Sequence, residues 1–218
     1  MGEQNKRFDR FLSTGDSTDR LQFFSDAVFA IAMTLLVIDI TVPTIQNPSD
    51  AELWSALLDE WERFFAYALS FVVIGINWMS HHKRFRLIPR YDGGLIRINL
   101  LLLLLVAFVP FPTSLISEYG SLVPAVVSYA GTVSAIGLAQ MWTWIYAYRH
   151  KLTNESVTPE MFAYVVRSQL VAPSVFLLSI PVAFIVGGYW PLWFWFLNWP
   201  ISVILGRWEP KAAASAQG

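Results

Sequence analysis

Six leucines run unbroken from Leu100 to Leu105, inside a stretch from Leu95 to Ile116 whose only charge is Arg97. About 20 mostly apolar residues suffice to cross roughly 30 Å of hydrocarbon, so this segment fits a bilayer. Five others fit the same template: Leu21 to Val42, Phe64 to Ser80, Leu122 to Tyr148, Phe162 to Val186 and Trp190 to Leu205. They are continuous apolar runs without alternation of period two, which predicts helices rather than barrel strands. The expected fold class is an all-α integral membrane protein with six transmembrane helices per chain. The whole chain agrees, with 55% hydrophobic and 14% charged residues and a mean hydropathy of +0.47. A soluble domain of this size would not tolerate that composition on its surface.

Charge sets the expected orientation. Thirteen of the fifteen Lys and Arg fall on one side, before the first span, between the second and third, and after the fourth and sixth; Arg63 and Arg167 are the exceptions. The opposite connections carry acids: Asp50, Glu52, Asp59, Glu60 and Glu118. By the positive-inside rule both termini are cytoplasmic, which requires an even number of spans. The chain divides into a cytoplasmic segment over 1–20, a membrane domain over 21–206 and a flexible cytoplasmic tail over 207–218, with no internal duplication. The polar first 20 residues show no removable signal peptide, so the first span is expected to act as its own insertion signal. A net charge of −1 offers no field for nucleic acid, and without cysteine neither disulfides nor thiolate metal sites are possible.

The polar groups inside the spans are the candidate functional residues. An acid within a membrane helix costs several kcal/mol unless paired or hydrated. Asp26 lies in the first span, and at 100° per residue it sits about 140° from Ile31. Ile31, Leu35, Ile38 and Val42 form one face, with Thr34 beside it as the only hydroxyl in the middle of the span. Asp39 falls near the far end, where it can stay hydrated and attract cations. Partners for Ser25 and Asp26 must share their depth. The second span closes with "NWMSHHKRF", bringing Trp78, His81 and His82, and the third opens with "RINLL", bringing Arg97 and Asn99. A knot of Asp26, Ser25, His81 and Asn99, with Arg20 at its edge, would satisfy the acid. Two readings stay open from the residues alone: inter-helix glue, or a direct part in permeation or proton transfer.

Other chemistries are less well supported. Adjacent His81 and His82 do not share a helix face as a metal pair at i and i+4 would. No nucleophile elbow, Gly-rich phosphate loop or paired carboxylates at one depth occur, so an enzyme is not expected. No cofactor or metal is implied. Pro110, Pro112, Pro173 and Pro181 are expected to end or bend the third and fifth helices. The tryptophans of "YWPLWFWFLNWP" (Trp190, Trp193, Trp195 and Trp199) suit a headgroup-level belt.

Arg20, Phe24, Ser25 and Asp26, in the order R-x-x-x-F-S-D and followed by "AVFAIAMTLLVIDI", closely resemble the first-helix signature of the endolysosomal-type transmembrane protein 175 potassium channel family. The stretch "NWMSHHKRF" looks like that family's W-x-x-H ending of the second helix, and "INLLLLLLVAFVPFP" like its asparagine-bearing third helix. The motifs cover about the first half of the chain. A single copy with six spans resembles the bacterial members, which implies a homotetramer in the bacterial inner membrane. The resemblance also implies a potassium-permeable channel without a "TVGYG" filter, lined by the first helix of four subunits. Carried over by position, Ile31 would be the narrowest hydrophobic ring, Leu35 and Ile38 further rings, and Thr34 the hydroxyl layer tied to potassium preference. Arg20, Phe24, Ser25, Asp26, His81 and Asn99 would form the inter-helix network, with Asp39 at the extracellular mouth. Two competing classes remain: a proton-coupled secondary transporter with a site at Asp26, His81 and Asn99, and a scaffolding protein with no transport.

Overall fold

The computed structural model describes residues 18–198 and 201. Within these residues the chain forms α1 (Asp19–Leu35), continued by a 3₁₀ turn (Leu36–Asp39), α2 (Asp50–Asp59), α3 (Trp61–Phe85) and α4 (Gly93–Phe108). Then come α5 (Pro110–Tyr119), α6 (Val123–Arg149), α7 (Pro159–Gln169), α8 (Val171–Ile185) and α9 (Trp190–Phe194), which ends in a 3₁₀ turn (Trp195–Leu197). Among the described residues, five helical segments are long and apolar enough to cross a membrane: Asp19–Asp39, Trp61–Phe85, Gly93–Tyr119, Val123–Arg149 and Pro159–Ile185. The sixth expected span lies partly outside the described residues; its described part is α9 and the turn after it. Residues 1–17 of the N-terminal segment and the tail also lie outside.

Local chemistry explains the joints. Asp92 starts α4 by accepting from the Leu95 amide at 2.8 Å, and Tyr146 of α6 donates to the other carboxylate oxygen at 2.9 Å. Thr158 caps α7 through the Met161 amide at 3.2 Å. Pro110 has no N–H to continue the α4 ladder; the Val109 amide turns back to Val106 at 3.2 Å, and α5 restarts at Pro110 with Val109 itself in helical conformation. Pro173 likewise cannot donate to Gln169, and the helix breaks at Leu170 between α7 and α8. Gly187 and Gly188 then close α8 in the left-handed region, at φ of 66° and 60°.

The central helix is α6, packed chiefly on α8, α4 and α5. Tyr129 of α6 anchors a core with Phe176 and Trp195; the Tyr129 and Trp195 rings stack at 4.8 Å. Trp195 also donates to Ser179 Oγ at 2.8 Å and is 3% exposed, so it is a core residue and not part of an interfacial belt. Trp190 and Trp193 are exposed, and Trp199 lies outside the described residues. The ring explains the difference: a tryptophan with an internal partner for its N–H can be buried whole.

Gly137 of α6 lets α8 approach closely, because a Cβ there would stand 2.5 Å from Pro173 Cγ, part of a rigid ring. Gly137→Ala is therefore expected to destabilise the bundle by about 1 kcal/mol, even after a gain of about 1 kcal/mol in helix propensity. Thermal unfolding in detergent reads it, and an unchanged or raised midpoint would contradict this packing.

Candidate functional site

Helix α1 packs chiefly against α3 and α4. Its inner face is Phe29, Ala32 and Leu36, each 1% exposed, in a core with Ile74, Leu102, Val106 and Val109. The opposite face is left open. Ile31 is 58% exposed, Leu35 43% and Ile38 70%, with Thr34 exposed among them. The Thr34 hydroxyl donates to the Ile31 carbonyl at 2.8 Å. Its proton is thus engaged by its own helix, and its oxygen lone pairs remain as the polar feature of this face.

Near the start of α1, polar groups tie it to its neighbours. Ser25 Oγ donates to the Leu21 carbonyl at 2.8 Å, so it must accept from Asn99 Nδ2 at 2.9 Å. Asn99 Oδ1 then faces His81 Nε2 at 3.0 Å, which assigns the proton of His81 to Nε2. Ser25, His81 and Asn99 are all buried, and His81 Nδ1 has no hydrogen-bond partner; the ring lies between Phe29 and Phe85. This chain joins α1, α4 and α3 through side chains from three separate stretches of sequence.

Asp26 stands beside that chain rather than within it. Trp78 Nε1 donates to Asp26 Oδ1 at 2.8 Å, the Trp78 ring lies 5.7 Å from that of His82, and His82 Nδ1 meets Gln22 Nε2 at 2.7 Å. The acid bonds to one neighbouring helix, α3, and its partner there is a tryptophan one turn before His81. Arg20 and Phe24 are exposed, and no described hydrogen bond joins Arg20 to Ser25, Asp26, His81 or Asn99.

Sequence reasoning missed a second polar joint. Arg84, counted in the sequence only among the basic residues between the second and third spans, turns into the bundle and donates to Gln140 Oε1 of α6. Gln140 Nε2 in turn donates to Asn77 Oδ1 at 3.0 Å. The signal was available: Ser70, Asn77 and Arg84 recur every seven residues and so share one face of α3. Ser70 completes the row, meeting the hydroxyls of Thr113 at 2.8 Å and Tyr129 at 3.1 Å.

The other end of α1 is held as well. Asp39 Oδ2 accepts from Ser117 of α5 at 2.8 Å. Arg63 of α3 donates to Thr41 Oγ1 at 2.6 Å and pairs with Glu60 at 3.0 Å and Glu118 at 3.6 Å. Beside it lies a recess of about 380 Å³ whose lining includes Asp59, Glu60, Glu62 and Glu118. Tyr189 donates to Glu62 at 2.6 Å, and this bond, with burial, pushes its phenol above the ordinary value. Among the described residues no three His, Asp or Glu side chains gather as metal ligands would.

An all-helical bundle of several membrane-crossing segments, with polar ties between its first three spans, defines a multi-pass membrane protein. Known proteins narrow it further. The profile of the family described as "Endosomal/lysosomal potassium channel TMEM175" matches residues 20–110. The protein named potassium channel Cha6605_3372, from Chamaesiphon minutus, is 36% identical over 173 residues, 77% of this chain and 85% of that protein. Potassium channel B446_29190 from Streptomyces collinus is 41% identical over 133 residues; the match covers 58% of this chain and 64% of that relative's length. The crystal structure of a lysosomal potassium-selective channel TMEM175 homolog from Chamaesiphon minutus superposes with a TM-score of 0.71 at 33% identity, covering 87% of this chain and 96% of that one. The chain belongs to the TMEM175 family.

Proposed function

We propose that the protein is a potassium-permeable cation channel, built by four copies of the chain in a bacterial inner membrane with both termini cytoplasmic. The names of the Chamaesiphon and Streptomyces relatives support the ion and the activity. The observation that carries the pore assignment is the open face of α1: Ile31, Thr34, Leu35 and Ile38 are uncovered in the single chain, while the opposite face of the same helix is packed and tied at both ends. Four such faces around an axis would stack hydrophobic rings roughly 5 Å apart, one per helical turn. Rings of this kind pass partly hydrated ions when wide and block them by dewetting when narrow, with no need for a carbonyl filter. In this reading Ile31 is the gate, Leu35 and Ile38 line the path beyond it, Asp39 sits at the extracellular mouth, and Thr34 supplies the layer that prefers potassium.

A proton-coupled transporter would need Asp26, His81 and Asn99 on one proton path. The separate bonding of Asp26 to Trp78 supports the anchoring role instead. Flux from potassium-loaded and sodium-loaded liposomes tests the reading: passive flux favouring potassium is expected, and flux that saturates and requires a proton gradient would overturn it. Thr34→Ala removes the layer's oxygen. The potassium-to-sodium permeability ratio is expected to fall about threefold. An unshifted bi-ionic reversal potential would remove Thr34 from the selectivity layer.

A further inference from the structure

We infer that Arg63 is a positioning residue for gating: with Ser117 it forms a latch that holds the far end of α1 away from the pore axis. The inference rests on the channel reading above. Arg63 is the one basic side chain in the first turn of α3, and its guanidinium is shared between three acceptors from separate stretches of the chain. These are Thr41, just past the 3₁₀ turn that ends α1, Glu60 at the start of α3, and Glu118 of α5. Ser117, next to Glu118, adds the bond to Asp39 inside that turn.

The direction of the pull follows from the faces. Ile38, next to Asp39, is 70% exposed on the open side of α1, whereas Asp39 and Thr41 are bonded to α5 and α3 on the packed side. The latch therefore draws the end of the helix toward its own subunit and away from the axis where Ile38 rings would meet. The other end of α1 is fixed by Ser25 and Asp26, so movement of the unlatched helix would be concentrated in the Ile31 to Ile38 segment. The pair partners are partly exposed, so each contact is weak, the range in which a gating equilibrium can be biased without the fold depending on it.

The test uses the full-length protein in planar bilayers, comparing wild type with Arg63→Gln, Thr41→Val and Thr41→Ser. Thr41→Val has nearly the same shape but no acceptor; Thr41→Ser keeps the hydroxyl. Arg63→Gln and Thr41→Val are expected to lower the open-to-closed ratio about fivefold, with unitary conductance and reversal potential unchanged and Thr41→Ser like wild type. An unchanged or raised ratio in both variants would overturn the latch. Hydrogen exchange of residues 36–41 in proteoliposomes is the readout that does not depend on conduction, and it is expected to quicken about fivefold in the same two variants. Absence of unitary currents from wild type would defeat the channel reading and the gating role with it. The exchange result would still decide the tether, which unchanged rates would refute.

Discussion

Replacing Ile31 with Asn is expected to raise unitary conductance severalfold and to lengthen the time spent conducting. Ile31 is 58% exposed in the single chain, so the amide would not enter a packed core, and its effect on bundle stability should stay within about 0.5 kcal/mol. A polar ring at the narrowest point would instead hold water where the isoleucines expel it, removing the dewetting barrier. The two readouts together discriminate. If Ile31 faced lipid, the amide would lower stability or insertion while leaving conductance alone. Unchanged single-channel conductance in a well-folded variant would move the gate elsewhere.

Asn99→Leu is expected to do the reverse, damaging the assembly of the bundle first. The two side chains have the same branching and number of heavy atoms, so the main loss is of hydrogen bonds, with some crowding from the larger methyls. Asn99 is fully buried and serves both Ser25 and His81; without it the His81 Nε2–H has no acceptor, and the unprotonated Nδ1 already has no donor. Leaving a buried donor unmet costs about 1–3 kcal/mol, and hydrogen bonds between membrane helices lie toward the low end of such values. With two bonds lost, a destabilisation of about 2 kcal/mol is expected, roughly 5 °C in the unfolding midpoint of a chain this size. Thermal unfolding in detergent measures it. A midpoint within 1 °C of wild type, as the order of error of such scans, would mean that the Ser25–Asn99–His81 chain does not hold α1 in place.

Hydropathy alone located the five described spans, because a bilayer imposes length and apolarity on any segment that crosses it. It placed their ends less well. The second span was expected from Phe64 to Ser80, yet α3 runs from Trp61 to Phe85, since the basic residues that lower hydropathy at its end also suit the negative pole of a helix. The open stripe of α1 was legible from periodicity, because Phe29, Ala32 and Leu36 occupy the other phase of the same helix. Depth along the membrane suggested one knot of Ser25, Asp26, His81 and Asn99 with Arg20 at its edge, but Arg20 is exposed and depth cannot choose between partners one turn apart. Asp26 therefore went to Trp78, while Ser25 took Asn99. Arg84 and Trp195 were misplaced for a shared reason. Residue type put Arg84 in the charged connection after the second span and Trp195 in the headgroup belt, whereas each has an internal hydrogen-bond partner, Gln140 and Ser179, that only the folded chain brings near.

The account depends most on conduction itself. Purified full-length protein in a planar bilayer, with potassium on one side and sodium on the other, should give discrete unitary currents that reverse at a potential favouring potassium. Silence in such recordings, alongside slow, saturable uptake driven by a proton gradient in liposomes, would contradict the account.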